Sequence, residues 1–159
     1  MKPNLPMRKI LSIIIFISIL SARSPYTYVY LLPFENTQND PAVEWIAGGL
    51  TYMVHQELKN HLGLRMKTKE DLEIIMNDRS LMLKQPRGSR NLLILGKFNR
   101  QLDKVHVSIQ MVDVATWEEL GVRKIMEVYT QIPSLNKAVG TTVNQMITPY
   151  IPSQPVAKV

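Results

Sequence analysis

The sequence has no cysteine, which excludes disulfides, thiolate metal sites and a lipid-acceptor cysteine, so stability must come from a packed core. Histidine is scarce as well: His55, His61 and His106 are the only three. His55 and His61 lie six residues apart, on different faces of a helix at 100° per residue, and His106 adds no recognised ligand spacing. Ser108 stands two residues from His106, but neither an acid nor a glycine elbow accompanies them, so no nucleophile–base pair is assembled. Neither a P-loop nor a GxGxxG pattern occurs. The sequence therefore predicts no catalytic, metal-binding or cofactor-binding residue, and no enzyme.

Acid is missing from one long stretch. Between Asp78 and Asp103 every charged residue is basic: Arg79, Lys84, Arg87, Arg90, Lys97 and Arg100. The whole chain carries 19 basic against 13 acidic residues, and removing residues 1–22 with Lys2, Arg8 and Lys9 leaves 16 against 13, a net of +3. That is too mild for a nucleic-acid binder. Spread over a loop and two strands, such charges are mostly solvated, with contact to a phosphate-bearing envelope surface or an acidic protein as the sharper reading.

What is present is ordinary globular chain. At 159 residues, 45% apolar and 20% charged, it has the length for one domain with a real core. Lys2, Arg8 and Lys9 precede an uncharged run, Ile10 to Leu20, that resembles a secretory signal core. Counted to Ala22 as helix it spans about 20 Å, short of the roughly 30 Å of hydrocarbon in a bilayer. Residues 1–22 are expected to be a signal peptide, cleaved or kept as an anchor; 23–150 a single domain; and 151–159 a proline-containing tail.

The organising stretch is Leu31 to Leu50. An apolar run from Tyr26 is stopped by Pro33, a polar turn follows from Glu35 to Asp40, and Asp40 with Pro41 suits a helix start. Ile46, Leu50, Met53, Val54 and Leu58 then recur at helical spacing. Gly48 and Gly49 predict close packing of this helix on a sheet, and Trp45 a place at the core rim. Leu64 to Lys67 reads as a second strand, and Thr68 with Asp71 as a capping box opening a helix with Leu72, Ile75 and Met76 inside. Asn91 to Phe98 reads as a strand joined by the Asn99–Lys104 turn to a second one. There Val105, Val107, Ile109 and Met111 alternate with His106, Ser108 and Gln110, which means one buried face and one wet face. Leu120 to Tyr129 reads as a further strand. A helix on Leu135, Val139, Val143, Met146 and Ile147 closes the domain at Pro149.

The run LPFEN followed by DPAVEWIAGGL resembles the first strand, loop and helix of TolB amino-terminal-like domains, with Gly48 where that family often has an acid. RMKTKEDLEIIMNDR is similar to the matching stretch of the CsgG and LpoB-type envelope proteins, relatives of that fold. LILGKFNRQLDKVHVSIQMVDVATWEEL resembles the family's hairpin and its Asp-x-Ala-Thr ending at Asp113, Ala115 and Thr116, with Trp117 where a glycine is usual. The resemblance implies a periplasmic domain without catalysis that docks onto other envelope proteins.

The expected architecture is therefore α/β, in the order βαβα-βββ-α, with a mixed sheet of four or five strands and two to three helices mainly on one face. The expected function is a non-enzymatic envelope module for protein–protein interaction or assembly. The alternative is a ligand-sensing or glycan-binding periplasmic domain, which requires a concave pocket with convergent polar groups. Expected partners are envelope proteins, with contact to a membrane surface or the cell wall, and no nucleic acid. The candidate partner-binding residues are Glu35, Asn36 and Asp40 in the turn and Lys84, Arg87 and Arg90 in the basic loop. The first strand and the last strand of the meander are the expected sheet edges.

Overall fold

The computed structural model describes residues 24–153; the expected signal segment lies outside them. A single mixed sheet runs through the domain in the order β3-β1-β4-β5-β6. Its strands are β1 (Thr27–Leu31), β2 (Glu35–Asn36), β3 (Leu64–Lys67), β4 (Arg90–Gln101), β5 (Lys104–Asp113) and β6 (Glu119–Val128). β1 is parallel to both β3 and β4, and β4, β5 and β6 form an antiparallel meander. β2 is a two-residue strand that continues the line of β1 along β4, pairing Glu35 with Lys97 and Asn36 with Phe98. The first strand in the chain thus lies inside the sheet. β3 and β6 are its edges, which corrects the expectation for the first strand and agrees with that for the last.

Two 16-residue helices, α1 (Glu44–Lys59) and α4 (Ile132–Ile147), cover one face. Ile46, Leu50, Val54 and Leu58 of α1 meet Leu135, Val139, Val143 and Ile147 of α4 over Val29, Leu92, Ile94, Phe98 and the β5 residues Val105, Val107, Ile109 and Met111. Each such side chain contributes about 1.5–3 kcal/mol on burial. That outweighs the helix-propensity cost of about 1 kcal/mol for each of Gly48 and Gly49. Two short helices, α2 (Lys69–Asn77) and the single turn α3 (Ser80–Leu83), lie on the opposite face. There Leu72, Ile75, Leu81 and Met82 pack on Tyr30, Leu93, Val112 and Val114. Met76, placed inside by its spacing, is half exposed at 50%.

Local chemistry explains the boundaries. Thr68 and Asp71 form the expected capping box, each side chain bonded to the other's backbone N–H at 3.1 Å. α1 starts later than its sequence suggests. Asp40 accepts from Ala42 N–H at 2.9 Å and holds a turn over residues 41–43, and regular helix begins only at Glu44. Asn36 fixes that turn by donating to Asp40 O and to Glu44 Oε2. The β4–β5 turn is tighter than expected, with Gln101 paired to Lys104 and Leu102 at φ 58°. Trp117 has φ 60°, the left-handed geometry that glycine adopts most easily, at the position where the resembling family has glycine.

The two ends of the domain meet. Thr27 Oγ1 donates to Tyr150 O, and Ile151 packs so closely over Gly63 that a Cβ there would sit 2.7 Å from Ile151 Cγ2.

Candidate functional site

In open α/β sheets ligands favour the crevice at the carboxyl ends of the strands where the connections diverge. Here that point lies between β1 and β4, because α1 leads to β3 on one side and α2 and α3 return across the other face to β4. The crevice is filled. β2 extends the pairing along β4, and the Phe34 ring lies over Gly96, where an added Cβ would stand 2.4 Å from the ring. Phe34 N–H donates to Thr51 Oγ1 at 3.0 Å, which ties this plug to α1.

The two groups of candidate partner-binding residues lie apart. Glu35 pairs with Lys97, whereas Arg90 begins β4 seven residues earlier, roughly 23 Å away along the strand. One compact interface cannot use both groups. Glu35 is exposed and forms an ion pair with Lys97 at 3.6 Å. Asn36 is only 6% exposed, with its amide donors used inside the loop, so it shapes the turn from within. Asp40 is half-buried and accepts from Ala42 N–H. Lys84 and Arg87 are exposed at the far end, and Arg90 lies 5.5 Å from the Tyr150 ring. Several other cations also lie over rings: Arg65 over Tyr26, Arg100 over Tyr129 and Arg79 over Trp117, at 4.0, 4.1 and 5.9 Å. Half of the basic stretch thus covers aromatic rims.

The outer side of α1 is the feature that sequence reasoning misplaced. Trp45 is 56% exposed and Tyr52 67%, and an added Cβ at Gly48 or Gly49 would meet nothing within 4 Å. The glycine pair does not pack on the sheet, and Trp45 is no core-rim residue. At 100° per residue, positions 45, 48, 49 and 52 project opposite the buried row 46, 50, 54 and 58. That projection was available in the sequence. The result is a notch of bare helix backbone between two exposed aromatic rings. Beside it, Leu31, Pro33, Ala47, Thr51, Tyr52 and Lys67 line a mainly apolar hollow of about 420 Å³. The Glu35–Asp40 loop leads directly into this helix.

On the other face, Asn91 joins Tyr30 and Gln85 in a closed network, accepting at 3.2 and 3.1 Å and donating to Gln85 Oε1 at 2.8 Å. Burial, with smaller contributions from Asp71 and Tyr28, pushes Tyr30 up to about 12. Every polar group there has a partner, which marks a structural network. Among the described residues no three histidine, aspartate or glutamate side chains converge as metal ligands.

The geometry defines a mixed α/β domain with one long helix pair behind the sheet. No protein-family model matches the chain, and no curated protein matches its sequence. Solved structures do match. TolB from Acinetobacter baumannii superposes with a TM-score of 0.53 at 17% identity, over 80% of this chain and 30% of that one. A PelC dodecamer from Paraburkholderia phytofirmans gives 0.43 at 13% identity, over 84% and 91%. The LpoB C-terminal domain from Salmonella enterica gives 0.43 at 8%, over 70% and 91%. The fold is thus one that this chain shares with part of TolB, and the chain spans under a third of TolB's length.

Proposed function

We propose that this protein is an exported envelope protein that acts in the periplasm as a docking module, gripping a partner protein on the outer side of α1. The observation that carries the proposal is the pair Trp45 and Tyr52, exposed on either side of Gly48 and Gly49. Two large rings left in water, one of them (Tyr52) bordering an apolar hollow with Gly48, are the composition of an interface hot spot, where tryptophan and tyrosine are enriched. The bare notch lets a partner side chain reach the helix backbone. Glu35 and Asp40, at the entry to the same helix, supply a polar rim. The fold shared with part of TolB is in keeping with such a role, and among the described residues no helix is long and apolar enough to cross a membrane.

A photoreactive residue at position 49 in cells should give an envelope adduct with a defined partner. Trp45→Ala with Tyr52→Ala should weaken that adduct at least tenfold and leave the melting temperature nearly unchanged, since both rings are mostly in water. Lys84→Glu with Arg87→Glu, at the far end of the sheet, should leave it intact. An adduct that survives loss of both rings would refute docking on α1, and an adduct of twice the chain's mass would mean that copies pair there. Recovery of the mature chain from the cytoplasm would refute export.

A further inference from the structure

The face of the sheet opposite α1 and α4 is only half covered. α2 and α3 pack on Tyr30, Leu93, Val112 and Val114, while the half formed by the end of β4, the start of β5 and β6 carries no helix. We propose that this open half is a binding site for a small hydroxylated acid: a sugar-sized molecule carrying one phosphate or carboxylate group together with free hydroxyls.

The register brings the site together. Lys97 is paired with Ser108 and Ser108 with Lys124, so the two lysines flank one serine in a row across three strands. At about 4.8 Å between strands their Cα atoms lie roughly 10 Å apart, and both flexible stems can bring an ammonium group over the Ser108 hydroxyl. The next row places Asn99 opposite His106 and His106 opposite Met126. Period two puts all of these side chains on the same open face. They line a hollow of about 400 Å³, with Thr37 at its rim, within the size range of small-molecule sites.

Charge and hydrogen bonding indicate what would fit. No carboxylate lines the hollow. Lys124 has no ion pair among the described residues, and Lys97 has only the exposed one with Glu35 at 3.6 Å. The charge of Lys124 is uncompensated and that of Lys97 only loosely paired at the surface, so an oxyanion over Ser108 would accept from both lysines and from the hydroxyl. Asn99 asks for the opposite partner. Its Oδ1 is buried with no hydrogen bond, a state that costs about 1–3 kcal/mol. A turn about its broad terminal torsion presents that oxygen to a hydroxyl donor. A fully ionised anion such as sulfate offers acceptors only, whereas a hydroxylated acid answers both demands. One step further along the face this pattern ends, because Gln110 donates to Glu119 at 2.6 Å and the polar groups there satisfy one another.

The test is a titration of the isotope-labelled full chain, followed at the amides of Asn99, His106 and Ser108. Glucuronate and glucose 6-phosphate should produce saturable shifts at millimolar concentration, and glucose and inorganic sulfate should each bind at least tenfold more weakly. Lys124→Gln should reduce the binding about tenfold at an unchanged melting temperature, and Ser108→Ala severalfold. Vesicles of phosphatidylglycerol, whose headgroup carries the same phosphate and hydroxyls, separate the sources. Cosedimentation that is lost in Lys124→Gln assigns the site to a lipid headgroup, and its absence alongside saturable sugar-acid binding assigns it to a soluble acid. No saturable shift with any of these probes, or equal shifts in wild type and Lys124→Gln, would make the face merely solvated. Equal affinity for inorganic sulfate would remove the role given to Asn99.

Discussion

One sheet presents two unlike faces. Behind it, α1 and α4 lie over nearly the full width and leave Val29, Leu92, Val105 and Ile109 at 1% exposure or less. In front, α2 and α3 shelter only the parallel side, and β5 shows His106, Ser108 and Gln110 to solvent between its buried residues. Period two along β5 assigns successive side chains to surroundings that differ in all but backbone. Stability is concentrated behind the sheet, and the space free to evolve contacts lies in front of it and on the outer surface of α1.

The largest expected effect sets neighbours on β5 against each other. Ile109→Asp puts an unpaired charge behind the sheet at a cost of several kcal/mol, enough to unfold the domain. Ser108→Asp, between Lys97 and Lys124 on the open face, should change stability by less than about 0.5 kcal/mol. Equal thermal melts for the two variants would mean that the faces are wrongly assigned.

Tyr30 tests how dry the covered part of the front face is. Its folded pKa of about 12 lies above the ordinary value of 10.0, so its share of stability is complete below pH 10 and is lost as pH rises toward 12. The loss should be on the order of 2–3 kcal/mol. Denaturant melts between those pH values should show it in the native chain and not in Tyr30→Phe. A flat native profile would put water beside Tyr30.

Gly96→Ala tests the plug over the crevice. The new methyl would collide with the Phe34 ring at 2.4 Å, so the variant should lose about 1–3 kcal/mol. A neutral result in a chemical melt would mean that Phe34 moves freely and that the crevice can open.

The smallest effect has the opposite sign. Gly48→Ala and Gly49→Ala meet open space on an exposed helix, so each should stabilise the domain by about 1 kcal/mol while filling the notch. Higher melting temperatures with weaker partner capture would show that the glycines are there for binding. Higher melting temperatures with unchanged capture would remove the notch from the interface.

Much of the fold is legible because burial writes itself into spacing. The alternation from Val105 to Met111 and the helical rows of α1 and α4 led to the right elements, and the Thr68–Asp71 box marks the start of α2. Positions were harder than elements. The interior place of β1 depends on pairing with residues 64–67 and 90–94, distant contacts that no local pattern encodes. Trp45 and the glycine pair were misread because size and backbone freedom suggest packing, while direction around the helix decides it. Of the candidate site, Glu35 was legible as exposed. Asn36 was not, because its burial depends on the amide reaching Glu44, eight residues on.

The contact of Thr27 with Tyr150, and of Gly63 with Ile151, gives the domain a polarity like that of a lamp on a stalk. Residues 25–27 and 150–152 all lie at the end of the sheet where β1 and β4 begin. The Glu35 loop, the first turns of α1 and the hollow around Ser108 lie at the other end, roughly 23 Å along β4. A tether at either terminus would therefore hold the domain by its base and present both binding surfaces outward, so tether length alone would set how far from its anchor the protein can reach.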